Sequence, residues 1–152
     1  MPEACVREFM TREPVTLQEG ARLRDAVELV MVRRIRHIPV LDAHGRLAGI
    51  VTDRDVKRSL PSPLSAIASA EYESILDDTP VARVMTREPM TIEAGAKVAE
   101  AVETLLNSKV GGLPVVENGQ LVGIFTERDA LRGYLGLLRK IGAIPAGPRG
   151  AS

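Results

Sequence analysis

The sequence predicts a mixed α+β (α/β) fold, in which two copies of a strand, helix, strand, strand, helix unit pack around a pseudo-twofold axis. The first observation is an internal repeat: residues 6–16 return as residues 81–91, and residues 45–55 return as residues 119–129. The second is size, because a unit of about 55 residues buries too little apolar surface to be stable alone. The two copies are therefore expected to form one body.

Apolar residues at helical spacing predict the first helix of each copy. Side chains at positions i, i+3, i+4, i+7 and i+8 share one face of an α-helix, which can then pack on a sheet. The first copy shows this spacing at Leu23, Ala26, Val27, Val30 and Met31. The second copy shows it at Val98, Ala101, Val102, Leu105 and Leu106.

Two short apolar runs after each helix predict a β-hairpin. In the first copy these are residues 38–41 and 47–51, and in the second copy Asn118 and Gly119 form the signal for a tight turn. Together with the strand before the helix, each copy is expected to hold a three-stranded sheet. A last helix is expected to run from Asp129 to about residue 141.

The repeat divides the chain into four segments. Residues 5–58 are the first repeat and residues 81–135 the second. Residues 59–80 begin as a loop rich in proline and serine and are expected to become a helix at about 66–76. Residues 136–152 are expected to end the last helix and to continue as a disordered tail rich in glycine and proline.

Composition argues against several classes of protein. The formal charge is zero and the basic residues form no tail or stripe, so nucleic acid is not an expected partner. No apolar run approaches the roughly 20 residues of a membrane helix, and the N-terminus lacks the apolar segment of a signal peptide, so a cytoplasmic protein without membrane contact is expected. The chain has one cysteine, Cys5, and two histidines, so neither a disulfide nor a metal site is expected.

One spacing opens the second helix of each copy: Thr52 stands three residues before Asp55, and Thr126 three before Asp129. A strand that ends where a helix begins directs backbone N–H groups and the helix dipole at one point, which favours an anion. The same spacing is also a capping box, in which threonine and aspartate each accept from the other's backbone amide. The spacing alone leaves both interpretations open.

The order of these motifs resembles the CBS domain, which occurs in tandem pairs. The resemblance rests on Met-Thr-x-x-Pro-x-Thr, the amphipathic helix, Pro-Val, the hairpin and Leu-x-Gly-Ile-x-Thr-x-Arg-Asp, and it covers roughly residues 5–135. The linker is similar to that of acetoin-utilisation-type proteins. The resemblance implies a regulatory module, not an enzyme, that requires no cofactor and binds an adenine nucleotide (AMP, ADP or ATP) or S-adenosylmethionine between its repeats.

The resemblance also implies two clefts, each built from both repeats. In the family the threonine contacts phosphate and the aspartate accepts from the ribose hydroxyls. The first cleft would combine backbone near Val110-Gly111 and Val84-Met85 with these side chains: Thr52, Arg54, Asp55, Arg36 and His37. The pseudo-symmetric second cleft would use Thr126, Arg128, Asp129 and Gly112. Thr16 and Thr91, expected on the first strands, either bind ligand or serve only as strand formers.

Basic residues make the first cleft the better candidate. The first copy has Arg36 and His37 where the second has Gly111 and Gly112. Cationic side chains bind phosphate strongly, and His37 would donate to phosphate when protonated. Alternatively, His37 is a satisfied histidine at the start of a strand. The glycines allow close approach of a ligand to the backbone but remove side chains that would hold phosphate.

Three functions are open to such a chain. The favoured one is a sensing module whose partners are an adenosine-containing small molecule, a second copy of the chain in a homodimer and an unidentified regulated protein. The second is a ligand-free dimerisation scaffold, in which both aspartates act only as caps. The third is an accessory domain related to that of inosine monophosphate dehydrogenase, although no catalytic barrel or nucleophile and base accompany the repeats.

Overall fold

The computed structural model describes residues 3–147 and confirms the mixed α/β architecture. Its strands are β1 Thr11–Arg12, β2 Leu17–Gln18, β3 His37–Leu41, β4 Leu47–Thr52, β5 Thr86–Arg87, β6 Ile92–Glu93, β7 Gly112–Glu117 and β8 Gln120–Thr126. Its α-helices are α1 Leu23–Val27, α2 Asp53–Ser59, α3 Ser69–Asp78, α4 Val98–Asn107 and α5 Glu127–Lys140. A π-helical turn, Glu28–Val32, extends α1, and 3₁₀ turns, Val6–Glu8 and Val81–Arg83, precede β1 and β5. Within the described residues no helix is long and apolar enough to cross a bilayer.

Each repeat completes its sheet with a strand from the other repeat. The strand orders are β2-β3-β4-β5 and β1-β8-β7-β6, so each sheet has four strands. Thr86 of β5 lies opposite Ile50 of β4, and Thr11 of β1 lies opposite Ile124 of β8, in antiparallel pairs. The prediction of three-stranded sheets is wrong by one strand, because each Thr-Arg strand leaves its own repeat.

Each of the two apolar cores likewise contains residues from both repeats. The first is built around β3 and β4 and includes Val81 and Met85 from the second half of the chain. The second is built around β7 and β8 and includes Val6 from the first half, with Met10 packed against it. Burial of apolar surface contributes roughly 25 cal/mol per Å². Neither repeat therefore has a complete core of its own.

The glycine of the Leu-x-Gly-Ile motif is required by the exchanged strands. A β-carbon on Gly49 would lie 2.7 Å from Sδ of Met85 and 2.7 Å from the carbonyl oxygen of Thr86. A β-carbon on Gly123 would lie 2.8 Å from the carbonyl oxygen of Thr11. A carbonyl oxygen in a paired strand moves aside only at the expense of the strand pairing, so a larger residue at these two positions is expected to destabilise the fold.

Gly49→Ala is expected to lower the free energy of unfolding by about 1 to 3 kcal/mol, the usual cost of forcing an extra methyl group into a packed site. Urea denaturation followed by circular dichroism measures this loss. Gly136→Ala is the matched control, because a β-carbon there meets nothing within 4 Å and alanine suits the interior of α5. A Gly49→Ala protein as stable as the wild type would contradict the packing account.

The linker helix α3 begins three residues later than predicted and docks on α1. Arg24 of α1 donates to Asp77 at 2.6 Å and also pairs with Glu73. Both ion pairs are exposed and add little stability, so the buried side chain of Leu76 is the stronger contact.

A glycine cap closes α5 near the predicted position. The N–H of Gly142, where φ is +76°, donates to the carbonyl oxygen of Arg139, and the N–H of Ala143 donates to that of Leu138. This pair of bonds is a Schellman motif. Residues 142 and 143 therefore belong to the helix end, and the end of the predicted tail, residues 148–152, lies outside the described residues.

Candidate functional site

A cavity of about 520 Å³ lies between the repeats, where β4 ends and β3 and β7 begin. This volume is in the range of small-molecule sites, roughly 300 to 1,000 Å³. The first repeat contributes Arg36, His37, Ile50, Thr52, Asp53, Arg54, Asp55 and Arg58. The second contributes Thr86, Glu88, Pro89, Met90, Lys109, Val110, Gly111, Gly112 and Glu127. We call this cavity the Asp55 cleft.

Asp55 caps α2 with one carboxylate oxygen and leaves the other open. The N–H and the hydroxyl of Thr52 donate to Oδ2 of Asp55 at 2.9 Å and 3.1 Å, and the N–H of Asp55 donates to Oγ1 of Thr52 at 3.2 Å. Oδ1 accepts no hydrogen bond within residues 3–147. The cap and a ligand contact are therefore compatible, because they use different oxygens.

Asp129, at the equivalent position in the second repeat, has both oxygens occupied. The N–H and hydroxyl of Thr126 donate to Oδ2 at 2.9 Å and 3.1 Å. Oδ1 accepts from the hydroxyl of Thr11 at 2.9 Å and from Arg132 at 3.2 Å. The aspartate is 2% exposed. A ribose hydroxyl would have to displace one of these donors, so the two aspartates are not equivalent.

His37 occupies the space that two glycines leave open between the repeats. A β-carbon on Gly111 would lie 3.1 Å from Nε2 of His37, and one on Gly112 would lie 2.9 Å from Cδ2. The repeat relates His37 to Gly112, and two side chains cannot both fill the close-packed region near the pseudo-twofold axis. The sequence predicted that a ligand approaches the backbone of these glycines closely. In the structure the side chain of His37 makes this close approach.

Burial lowers the pKa of His37 below its ordinary value. The carboxylates of Asp53, Glu127 and Asp129 act in the opposite direction, whereas Arg36 lowers the pKa further. Desolvation of the imidazolium is the largest of these effects. Burial therefore favours the neutral imidazole in the free protein, and donation to phosphate by a protonated His37 stays a prediction.

We expect acidification to destabilise the protein through His37. Its pKa is lower in the folded chain than the ordinary value of about 6.5, so the unfolded chain binds the extra proton first. This contribution to stability is complete above about pH 6.5 and is lost as the pH falls through that value towards the folded pKa. Urea denaturation at pH 7.5 and pH 5.5 should show a smaller loss for His37→Gln than for the wild type. Equal losses would contradict this account.

Charged side chains of both signs line the Asp55 cleft. The basic ones are Arg36, Arg54, Arg58 and Lys109. Besides Asp55, the acidic ones are Asp53, Glu88 and Glu127. The four basic groups form no ion pair within the described part of the chain, so each can turn towards a ligand. Residues 3–147 contain no group of three or more His, Cys, Asp or Glu side chains that could hold a metal ion.

The strand exchange brings to the cleft the residues that follow Val84 and Met85, which sequence reasoning did not name. Thr86, Glu88 and Met90 follow the second copy of the Met-Thr motif and line the cavity. Glu88 has a φ of +47°, as does Glu13 at the equivalent position. The recurrence of Met-Thr-Arg-Glu-Pro in both repeats marked this segment as important. The sequence did not show that the segment pairs with a strand of the other repeat.

The remaining predicted residues lie elsewhere. Thr16 and Thr91 each stand one residue before a strand, not within it, and neither lines the Asp55 cleft. Arg128 is exposed on the first turn of α5, beside the Thr126 cap. Gly112, predicted for the second cleft, lines the first because it lies against His37.

Two sheets with exchanged strands, related by a pseudo-twofold axis and enclosing a shared cleft, define a tandem-repeat module. The CBS domain model matches residues 6–62 and again residues 81–136. The chain belongs to the CBS domain family, as a pair of CBS repeats.

Individual relatives agree with this assignment. The structure of AcuB from Vibrio cholerae, assigned to acetoin utilization, is 31% identical and superposes with a TM-score of 0.77 over 97% of this chain and 100% of its own. CBSX2 from Arabidopsis thaliana, solved in complex with AMP, is 27% identical with a TM-score of 0.73 over 89% of this chain and 98% of its own. A CBS domain-containing protein of Dictyostelium discoideum is 32% identical over 85% of this chain and 90% of its own.

Other relatives are longer proteins. The chain matches 41% of a Methanocaldococcus jannaschii protein and 22% of homoserine O-acetyltransferase from Methanocorpusculum labreanum. The matched region is therefore a minor part of those chains.

Proposed function

We propose that this chain is a regulatory module that binds an adenine nucleotide or S-adenosylmethionine in the Asp55 cleft. The observation that carries the proposal is the open Oδ1 of Asp55 in a cavity lined by both repeats. An ionised carboxylate is a strong acceptor for the two hydroxyls of a ribose. The AMP complex of CBSX2, which shares the fold over most of its length, supports this choice of ligand.

The lining suggests how such a ligand lies. Ile50, Met90 and Val110 offer apolar surface for a flat base. The ribose is held by Asp55, and the phosphate end lies among Arg36, Arg54, Arg58 and Lys109. The second cleft, with Thr126, Arg128 and Asp129, stays empty because Asp129 has no free oxygen, so one ligand binds per chain.

Isothermal titration of the nucleotide-stripped protein with AMP, ADP, ATP and S-adenosylmethionine tests the proposal. At least one of the four should bind with a stoichiometry of one per chain. Absence of heat with all four would overturn it and would favour the ligand-free scaffold. We propose no catalytic activity, so chromatography after long incubation with each ligand should show no turnover. We also propose a cytoplasmic location.

We also propose a homodimer formed through α4 and α5. A groove of about 700 Å³ between these helices is lined mostly by apolar side chains. Leu106, Leu131 and Leu137 in this groove are 77%, 68% and 53% exposed. Exposed apolar patches of this kind mark contact surfaces, and a twofold interface uses the same patch on both subunits.

Leu137→Glu is expected to raise the dimer dissociation constant at least about tenfold, because it places a charge within the apolar groove. Sedimentation velocity over a range of concentrations measures the change. Lys140→Glu, on the same helix but outside the groove, is the control and should leave the dimer intact. A strictly monomeric wild-type protein would contradict the proposed dimer.

A further inference from the structure

We infer that His37 distinguishes a phosphorylated ligand from an unphosphorylated one, by taking up a proton when an anionic group enters the Asp55 cleft. The inference rests on the proposed function, because it requires a nucleotide in that cleft. It adds a property of the site that neither the fold nor the relatives supply: the charge of the ligand is read by one titratable side chain.

The His37 ring packs against the backbone of the second repeat. Its edge packs against Gly111 and Gly112, where a β-carbon would lie 3.1 Å from Nε2 and 2.9 Å from Cδ2. In the sheet His37 pairs with Thr52, the residue that caps α2 beside Asp55. The ring is therefore held at one wall of the cleft before any ligand binds.

The ring nitrogens of His37 are available to a ligand. Neither makes a hydrogen bond within residues 3–147, and neither is fully shut off from solvent. His37 also lines the cleft together with Arg36, Arg54 and Lys109. A phosphate oxygen drawn to these cations arrives where an imidazole N–H can donate to it.

Charged groups of both signs face His37 and act on its pKa in opposite directions. Asp53 of α2 and Glu127 and Asp129 of α5 favour the imidazolium, while Arg36, which precedes β3, opposes it. Burial decides the balance and keeps the ring of the free protein neutral. An anion at the ring adds a negative charge at close range, which shifts the balance to the imidazolium, and the proton comes from solvent. Adenosine brings no charge, so it leaves the ring neutral.

Histidine NMR tests the inference directly, because the chain contains two histidines, His37 and His44. The Cε1–H resonances are followed from pH 5 to 8 in the free protein, with saturating AMP and with saturating adenosine, and the spectrum of His37→Gln assigns the two signals. AMP should raise the titration midpoint of His37 by about one unit or more. His44, in the exposed turn between β3 and β4, is the internal control and should not move.

The outcomes separate this inference from the proposed function. If AMP binds, as shown by shifts of other resonances, while the midpoint of His37 stays in place, the inference is wrong and the proposed function stands. If AMP does not bind, the inference is overturned, while the proposed function is decided by the titrations with ADP, ATP and S-adenosylmethionine. An equal rise with adenosine would also contradict the inference, because the ring would then respond to occupancy and not to charge.

Titration calorimetry gives a second readout. At pH 7.5 the AMP phosphate is already almost fully ionised, since its second pKa is about 6. The heat of AMP binding should differ between HEPES and Tris buffers, neither of which is an anionic phosphate, by an amount that corresponds to net proton uptake. His37→Gln keeps a neutral donor but cannot take up the proton, so it should remove this difference and lower AMP affinity more than adenosine affinity. Proton uptake that persists in His37→Gln would contradict the inference.

Discussion

Asp55→Ala is expected to lower the affinity for the nucleotide by about ten- to hundredfold. The substitution removes the open Oδ1 from the cleft, and a hydrogen bond to a charged group contributes roughly 1.5 to 3 kcal/mol. It also removes Oδ2, which accepts from the N–H of Thr52. The protein should therefore also lose about 1 kcal/mol of stability, the usual effect of deleting a helix cap. Titration calorimetry and urea denaturation measure the two losses.

Asp55→Asn separates the two roles of this carboxylate. An asparagine can keep a carbonyl oxygen on the Thr52 amide and so preserve the cap, but it presents an NH₂ group to the ribose hydroxyls. We expect near wild-type stability with most of the affinity lost. A variant that loses stability and keeps its affinity would show that Asp55 is only a cap, as the scaffold hypothesis requires.

Asp129→Ala is expected to show the opposite pattern, with a loss of about 1.5 to 3 kcal/mol in the free energy of unfolding and no change in nucleotide affinity. This carboxylate is almost fully buried and accepts from Thr126, Thr11 and Arg132. The bond from Thr11 joins β1 of the first repeat to α5 of the second, so its loss loosens the contact between repeats. Urea denaturation and calorimetry on the same sample check both parts.

Thr11→Val is the matched probe of that contact, because it removes the hydroxyl and keeps the shape of the side chain. It should reproduce part of the stability loss of Asp129→Ala. Thr86→Val, at the equivalent position beside the Asp55 cleft, should be nearly neutral, since Thr86 makes no hydrogen bond to Asp55 in the described chain. If Asp129→Ala lowered affinity as much as Asp55→Ala does, the assignment of a single site would be wrong.

The architecture could be predicted from local patterns because each pattern acts within one repeat. Helical spacing places α4, Asn118 and Gly119 turn the second hairpin, and Thr52 with Asp55 starts α2. Local patterns did not predict two short strands, β1 and β5. A Thr-Arg pair carries no period of its own, and its partner strand lies in the other repeat, more than 30 residues away in sequence.

The difference between the two clefts also depends on a contact between residues far apart in the sequence. Thr52 to Asp55 and Thr126 to Asp129 are nearly identical in sequence, and both form the same cap. What separates them are two donors to Oδ1 of Asp129: Arg132, and the hydroxyl of Thr11, which the fold brings from 118 residues away. The basic side chains of the first repeat predicted the same ranking of the two clefts, but the occupied oxygens of Asp129 could be seen only in the structure.

The pairing of His37 with two glycines illustrates a third limit. The sequence shows a histidine in one repeat and a glycine at the matching place in the other, which indicates asymmetry near the axis. Whether a glycine admits a ligand or a neighbouring side chain depends on distances that only the fold defines, here 2.9 Å from Cδ2 of His37 to a β-carbon on Gly112.

A structure of the nucleotide-stripped protein crystallised with excess AMP tests the central claim most directly. The account predicts one AMP molecule per chain in the Asp55 cleft, with its ribose hydroxyls on Oδ1 of Asp55 and its phosphate near His37 and Arg36. The cleft beside Asp129 should hold no nucleotide. An AMP molecule bound at Asp129 instead, or a ribose that makes no contact with Asp55, would contradict it.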